Sequence, residues 1–296
     1  MTSEEHCLYI STKGIMKSCD IYDKKIDDTI IAINNSTQES MLKVYILSDN
    51  LKEFYYKIHL LNKIIILISG SSDYSIPNDL LTNEEFNNLL NNEKIHHYFV
   101  QNCYVEHNKI TKIPIGLDYH TLGWNDYYWG HKQTAICQEE GLINIKNSSK
   151  HFYERKLLCY STFHFVNYDN KFGHSRNDIK NIIPEALVFY EPNKIDRITT
   201  WKNQSEFTFV ISPFGNGLDC HRTWEALLLG CIAIVETSPL DILYHDLPVL
   251  IIKNWHEVTQ ELLEKKVIEY KDKTFNYEKL TLNYWKSLIN FCNIAT

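Results

Sequence analysis

Two short runs near the start of the chain leave few choices of fold. Val44-Tyr45-Ile46-Leu47-Ser48 and Ile64 to Ser69 are apolar without polar alternation, and each ends in a turn cluster, Ser48-Asp49-Asn50 and Gly70-Ser71-Ser72-Asp73. A strand with one face in water alternates apolar and polar side chains. Unbroken runs of this length therefore belong in a parallel sheet covered on both faces. Parallel neighbours need a crossover, and Leu51 to Asn62 has the length of a crossover helix. Tyr98-Phe99-Val100 and Thr111 to Ile115 extend the series, the second ending at Gly116-Leu117-Asp118. The expectation is an α/β unit with polar loops at the carboxyl ends of its strands.

Trp124 to Tyr153 breaks this rhythm with an aromatic loop (Trp124, Tyr127, Tyr128, Trp129) and a polar, helix-like stretch. A second series follows at Lys156 to Ser161, Ala186 to Tyr190, Phe207 to Ile211, Cys231 to Val235 and Pro248 to Ile252. Helical stretches separate these runs, most clearly Cys220 to Leu229 and His256 to Glu269. At roughly 150 residues per domain, the 296 residues fit two Rossmann-like domains, 1–150 and 151–279. The amphipathic C-terminal segment 280–296 is expected to return to the first.

Composition narrows the function. The chain carries 30 Lys+Arg against 37 Asp+Glu, a formal charge of −7, whereas a general nucleic-acid binder needs a basic face. The first thirty residues hold no apolar signal region, and no apolar run approaches the roughly 18 residues of a membrane span. None of the eight cysteines falls in C-x-x-C or in a His/Cys ligand spacing, so neither zinc nor a disulfide framework is signalled. The expectation is a folded, cytoplasmic protein with no membrane span and no nucleic-acid partner. Oligomeric state leaves no mark in the sequence.

The most informative stretch is Phe207 to Val235, FTFVISPFGNGLDCHRTWEALLLGCIAIV. A buried strand runs into Ser212-Pro213, a loop with Gly215-Asn216-Gly217 follows, a helix starts near Asp219, and Gly230 stops it before the next strand. Open parallel sheets bind ligands at the carboxyl ends of their strands. Helix N-termini there offer unpaired N–H groups and a favourable dipole to phosphate. Gly215 and Gly217, without Cβ atoms, let a ligand approach the backbone. Arg222 and Glu225 lie three apart and share a helix face, opposite the apolar stripe of Trp224, Leu227 and Leu228. A guanidinium at this place can grip a diphosphate through two parallel hydrogen bonds, and a carboxylate one turn on can accept from a ribose diol. Arg176, Asn216 and His221 are further candidate donors to phosphate. The same spacing also fits a plain Arg222–Glu225 ion pair, with Asp219 as N-cap and an ordinary glycine turn. The glycines do not form G-x-G-x-x-G, which argues against a nicotinamide-dependent oxidoreductase.

The string S-P-x-G-N-G-x-D-x-H-R-x-W-E-A-L-x-x-G-C-I-x-I-V, Ser212 to Val235, resembles the donor-binding motif of exostosin-like glycosyltransferases. It is most similar to a branch encoded by giant DNA viruses. Ser69 to Pro77 and Ile113 to His120 are also similar to that branch, and the likeness spans residues 44–255. Ala233 stands where the family commonly has Pro. The resemblance implies a GT-B fold, two Rossmann-like domains facing across a cleft. The second would bind a nucleotide-sugar donor, and the first would receive a glycan or other hydroxyl acceptor. It places Arg222 against the diphosphate and Glu225 against the ribose. Gly215, Asn216, Gly217, Asp219, His221 and Thr223 fall around them, with Arg176 as a second cation.

The implied reaction is inverting sugar transfer with no cofactor. No Asp-x-Asp triplet occurs, so no essential metal is expected, and the helix N-terminus and cations would stabilise the leaving nucleoside diphosphate. Inversion needs a base for the acceptor hydroxyl. Asp73, in a Gly/Ser loop just past a buried strand, is the first candidate, and Asp118 and His120, past another strand end, are the next. The aromatic loop Tyr119 to Trp129 is suited to stacking on sugar rings, though such clusters also serve packing. The alternative reading is a non-catalytic relative that binds a nucleotide or glycan.

Overall fold

In a computed structural model of the chain, which describes residues 3–22, 24–162, 171–172 and 176–292, the apolar runs form two parallel sheets flanked by helices. Strands β1 (Leu42–Leu47), β2 (Ile65–Gly70), β3 (Ile95–Val100) and β4 (Ile110–Lys112) pair in that order, all parallel. Strands β5 (Lys156–Ser161), β6 (Val188–Tyr190), β7 (Phe207–Ile211), β8 (Ile232–Glu236) and β9 (Val249–Ile252) pair in the order β6-β5-β7-β8-β9, again all parallel. β2 and β7 are buried at every residue, as runs without polar alternation require.

The chain divides into two compact units. One holds Glu4–Ile115 with the C-terminal segment from Thr281; the other holds Gly116–Leu280. The division thus falls at Ile115/Gly116 and not near residue 150, because helix Ala135–Ser148 packs on helix Arg197–Gln204. Arg197 Nη1 donates to Gln138 Oε1 at 2.8 Å, and a Cβ on Gly141 would stand 2.9 Å from Ile198 Cδ1. Helix Leu282–Phe291 is tied to the first unit. Its leading residue donates its N–H to Leu8 O at 2.9 Å, and Lys43 Nζ donates to Asn290 Oδ1 at 3.2 Å.

Strand order decides where each sheet can admit a ligand. In the four-stranded sheet every strand lies beside its sequence neighbour, and Ile21 bridges Val44 on the outer side of β1. The chain therefore advances in one direction. In the five-stranded sheet it leaves β5 for β6 on one side and then returns to β7 on the other. The loops after β5 and β7 part in opposite directions, which makes the topological switch point at which open α/β sheets hold ligands.

The first unit carries a buried polar knot at the end of β2. The Tyr45 hydroxyl lies 3.0 Å from both Thr12 Oγ1 and Ser71 Oγ, and Gln101 Oε1 accepts from the Ser71 N–H at 3.1 Å. Gly70 makes room for it: a Cβ there would stand 2.7 Å from Gln101 Oε1 and 2.8 Å from the Tyr45 hydroxyl. Overpacking of this kind is worth about 1–3 kcal/mol. Gly70→Ala is expected to lower the stability of the chain by that amount in urea unfolding monitored by circular dichroism.

Candidate functional site

A cavity of about 410 Å³ opens at the switch point, wholly within the unit Gly116–Leu280. Thr162 follows β5, Glu191 to Ile195 follow β6, and His221, Arg222 and Glu225 come from the helix after β7. Arg176, Arg197, Trp201, Tyr128, Trp129 and Asp118 complete most of the wall.

The helix after β7, His221–Leu228, is oriented by its apolar stripe. Trp224, Leu227 and Leu228 are buried to 0%, 1% and 0% exposure, so Arg222 and Glu225 on the other face reach the cavity. Asp219 is not the N-cap. Cys220 takes that position, its Sγ donating to Pro213 O at 3.5 Å and not capping the helix. Asp219 turns inward, 3% exposed, and accepts from Trp224 Nε1 at 2.8 and 3.0 Å and from the Tyr244 hydroxyl at 3.4 Å. Thr223 also faces the core, its Oγ1 lying 2.8 Å from Ser212 Oγ and fastening the helix to the end of β7. Asn216 is exposed and Gly217 buried, and neither lines the cavity.

Gly215 acts through what it lacks. A Cβ there would stand 3.1 Å from Cys220 Sγ and 3.3 Å from Arg176 Nη2. The missing side chain lets the Arg176 guanidinium lie along the loop, with Nε donating to Phe214 O at 3.2 Å. Arg222 Nη1 donates to Pro213 O at 3.3 Å. Burial pushes the Arg222 guanidinium down to about 10, and the charge of Arg176 pushes the same way. Arg222 thus remains a cation at neutral pH, close enough to Arg176 to feel its charge, beside the first turn of a helix. Such a place is made for an anion.

The opposite wall is built on Asp118. Its Oδ2 pairs with Arg197 Nη2 at 3.2 Å, its Oδ1 accepts from the Thr121 N–H at 3.0 Å, and its backbone oxygen also accepts from Arg197. Burial raises this carboxyl, but His221, His120, Arg197 and the Thr121 N–H outweigh it and hold the group well below the usual carboxylate range. A carboxylate so held has little pull on a proton. His120 Nδ1 lies 3.1 Å from Asp118 Oδ1, and its ring is 5.9 Å from that of His221, but His120 does not line the cavity. Glu225 differs: burial pushes its carboxyl up, against the pull of Arg197 and His221. Asp73 lies in the other unit, exposed, in the loop after β2.

Sequence reasoning missed Arg197, Glu191 and Lys194. Asp196 does cap a helix, accepting from the Thr199 N–H at 2.9 Å, and an Asp-x-x-Thr start is readable. That Arg197 reaches back 79 residues to Asp118 is not. Glu191 is oriented by the Tyr160 hydroxyl at 2.9 Å and Asn203 Nδ2 at 3.2 Å. In the aromatic loop, Tyr127 and Gly130 pair through two backbone hydrogen bonds, setting Tyr128 and Trp129 at the tip of a tight turn. Their rings pack 4.6 Å apart, and Lys194 Nζ stands 4.7 Å over Tyr128.

No family model matches the chain, and no curated protein matches it. Among solved structures it is similar to the crystal structure of an alpha1,3-fucosyltransferase, with a TM-score of 0.41 and 13% sequence identity over 92% of this chain and 95% of that one. Among the described residues, no helix is long and apolar enough to cross a membrane, and no group of three His, Cys, Asp or Glu could hold a metal ion.

Removing one charge from a buried pair leaves the other without compensation, at about 3–5 kcal/mol. Asp118→Asn is expected to lose stability on that scale at neutral pH. Because the folded carboxyl is depressed, its contribution is complete above the ordinary carboxylate range of about 4 and fades as pH falls below it. Urea unfolding of the two proteins should show a constant gap from neutral pH down to about pH 4, closing below.

Proposed function

We propose that the chain is a glycosyltransferase that takes a sugar from a nucleoside-diphosphate donor, without an essential metal, and passes it with inversion to a hydroxyl acceptor. The observation that carries this reading is the convergence of Arg176, Arg222 and a helix N-terminus on a cavity at the switch point of a parallel sheet. Two guanidiniums and a helix dipole match a diphosphate in charge and in hydrogen-bond geometry. They can also stabilise it as a leaving group, the task a divalent cation performs in other transferases. Glu225 is the carboxylate offered to the ribose. Trp129 and Tyr128, which line the same cavity, offer aromatic faces suited to a sugar ring.

The likeness of Ser212 to Val235 to the exostosin-like donor motif, and to its viral branch, supports the same assignment. Two Rossmann-like units are the parts of a GT-B transferase. The acceptor base belongs in this reading to Asp73. Asp118 is a weaker candidate because its carboxylate is committed to Arg197.

Calorimetric titration with UDP-, GDP- and dTDP-sugars, with a CMP-sugar as the monophosphate control, tests the reading. At least one diphosphate donor is expected to bind, and the CMP-sugar is not. Arg222→Ala should weaken that binding by about 1.5–3 kcal/mol, the worth of a charge-assisted hydrogen bond; an unchanged affinity would remove Arg222 from the site. Asp73→Ala should abolish transfer or donor hydrolysis while binding persists. Donor binding by the unaltered chain with neither transfer nor hydrolysis would make it a non-catalytic nucleotide binder.

A further inference from the structure

His221 stands in the first turn of its helix beside Arg222, half-buried, on the wall of the cavity. Its Nδ1 lies 2.7 Å from the backbone oxygen of Gly116. A carbonyl oxygen only accepts, so Nδ1 carries hydrogen whether the ring is neutral or charged. The nitrogen that gains or loses a proton is therefore Nε2. With a lone pair Nε2 repels a phosphate oxygen; with a proton it becomes a donor and a positive charge. The titratable and charged groups around this ring and its helix neighbours are Asp118, Glu225 and the Cys220 thiol on one hand, and Arg222, Arg176, Arg197 and His120 on the other.

We infer that His221 is the proton carrier of the site: Nε2 takes up one proton as the diphosphate binds and passes it to the leaving phosphate during transfer. This rests on the diphosphate reading above. In the transfer step the bond between the anomeric carbon and the phosphate oxygen breaks, its electron pair going to that oxygen, and the Nε2 proton follows. The acceptor oxygen forms the new bond to the anomeric carbon and gives its own proton to the acceptor-side carboxylate. His221 ends neutral, and the nucleoside diphosphate departs carrying the proton.

The binding half of this cycle can be measured without an acceptor. UDP-glucose and GDP-mannose are suitable probes, because their doubly esterified diphosphates exchange no proton near neutral pH. The full chain is titrated with each at about pH 6.5 and about pH 8.5, in buffers of different ionisation heat. The sugar nucleotide that binds is expected to do so about tenfold more weakly at the higher pH, drawing up to one proton from the buffer. His221→Asn keeps a side-chain N–H for Gly116 O and lacks Nε2, so proton uptake and pH dependence should both vanish. His120→Gln should retain both. Binding without proton uptake in the unaltered chain, uptake that persists in His221→Asn, or uptake lost in His120→Gln would each overturn the inference alone. Where neither probe binds, a dTDP-sugar takes their place in the same titration; should no UDP-, GDP- or dTDP-sugar bind at either pH, the diphosphate reading falls and the inference with it.

Discussion

The ion pair between Asp118 and Arg197 organises the second unit. Their side chains are 11% and 10% exposed, so forming the pair takes two charges out of water, at several kcal/mol per ion. The offset comes from saturation. Arg197 also serves the Asp118 backbone oxygen and Gln138 Oε1, and its guanidinium lies 5.8 Å from the Trp129 ring and 5.6 Å from that of Trp201. One guanidinium thereby fixes the segment after Gly116, helix Ala135–Ser148, the aromatic turn and its own helix. The Gly116 backbone oxygen, at the start of that segment, in turn holds His221. The position of every group on this wall of the cavity follows from that pair.

The other wall obeys a different constraint. A chain with a formal charge of −7 must gather positive charge locally if it is to hold an anion. Arg176 and Arg222 repel each other, and Arg222 is held with part of its donor set on the backbone oxygen of Pro213. Gly215 lets Arg176 come as close as it does. Orientation by backbone carbonyls, which cannot move without unmaking the loop, sets the two cations in place before any ligand arrives. Such preorganisation makes fixed charges effective in a partly desolvated site.

The strands were legible because their signal is local: a run such as Ile64 to Ser69 has no other economical burial. The shared face of Arg222 and Glu225 was equally local, since helical spacing puts them together once Trp224 is buried. What escaped the sequence was longer in range or disguised. Asp219 reads as a donor-site residue or, in the plainer alternative, an N-cap, but the Trp224 indole N–H, buried five residues on, needs an acceptor and takes that carboxylate. Helix Ala135–Ser148 looked like a polar boundary because the residues it buries include Gln138 and Glu139. Each has a distant partner: Gln138 binds Arg197, and Glu139 accepts from the Tyr119 hydroxyl at 2.8 Å. The order β6-β5-β7 is also invisible in sequence, since crossovers to either side of β5 look alike along the chain.

These constraints divide the work among the ionisable groups. Asp118 was a candidate base by its place after a strand, yet the interactions that keep it ionised also keep it from taking a proton. Its carboxylate instead stands against the His120 imidazole, Nδ1 lying 3.1 Å from Oδ1, and that ring is 5.9 Å from the ring of His221. Of those two rings, only His221 lines the cavity, and the Gly116 oxygen has already decided which of its nitrogens can exchange a proton. In the proposed transfer reaction the acceptor's proton would go to a carboxylate outside the network that Arg197 holds; Asp118 lies within that network, and Asp73 belongs to the other unit.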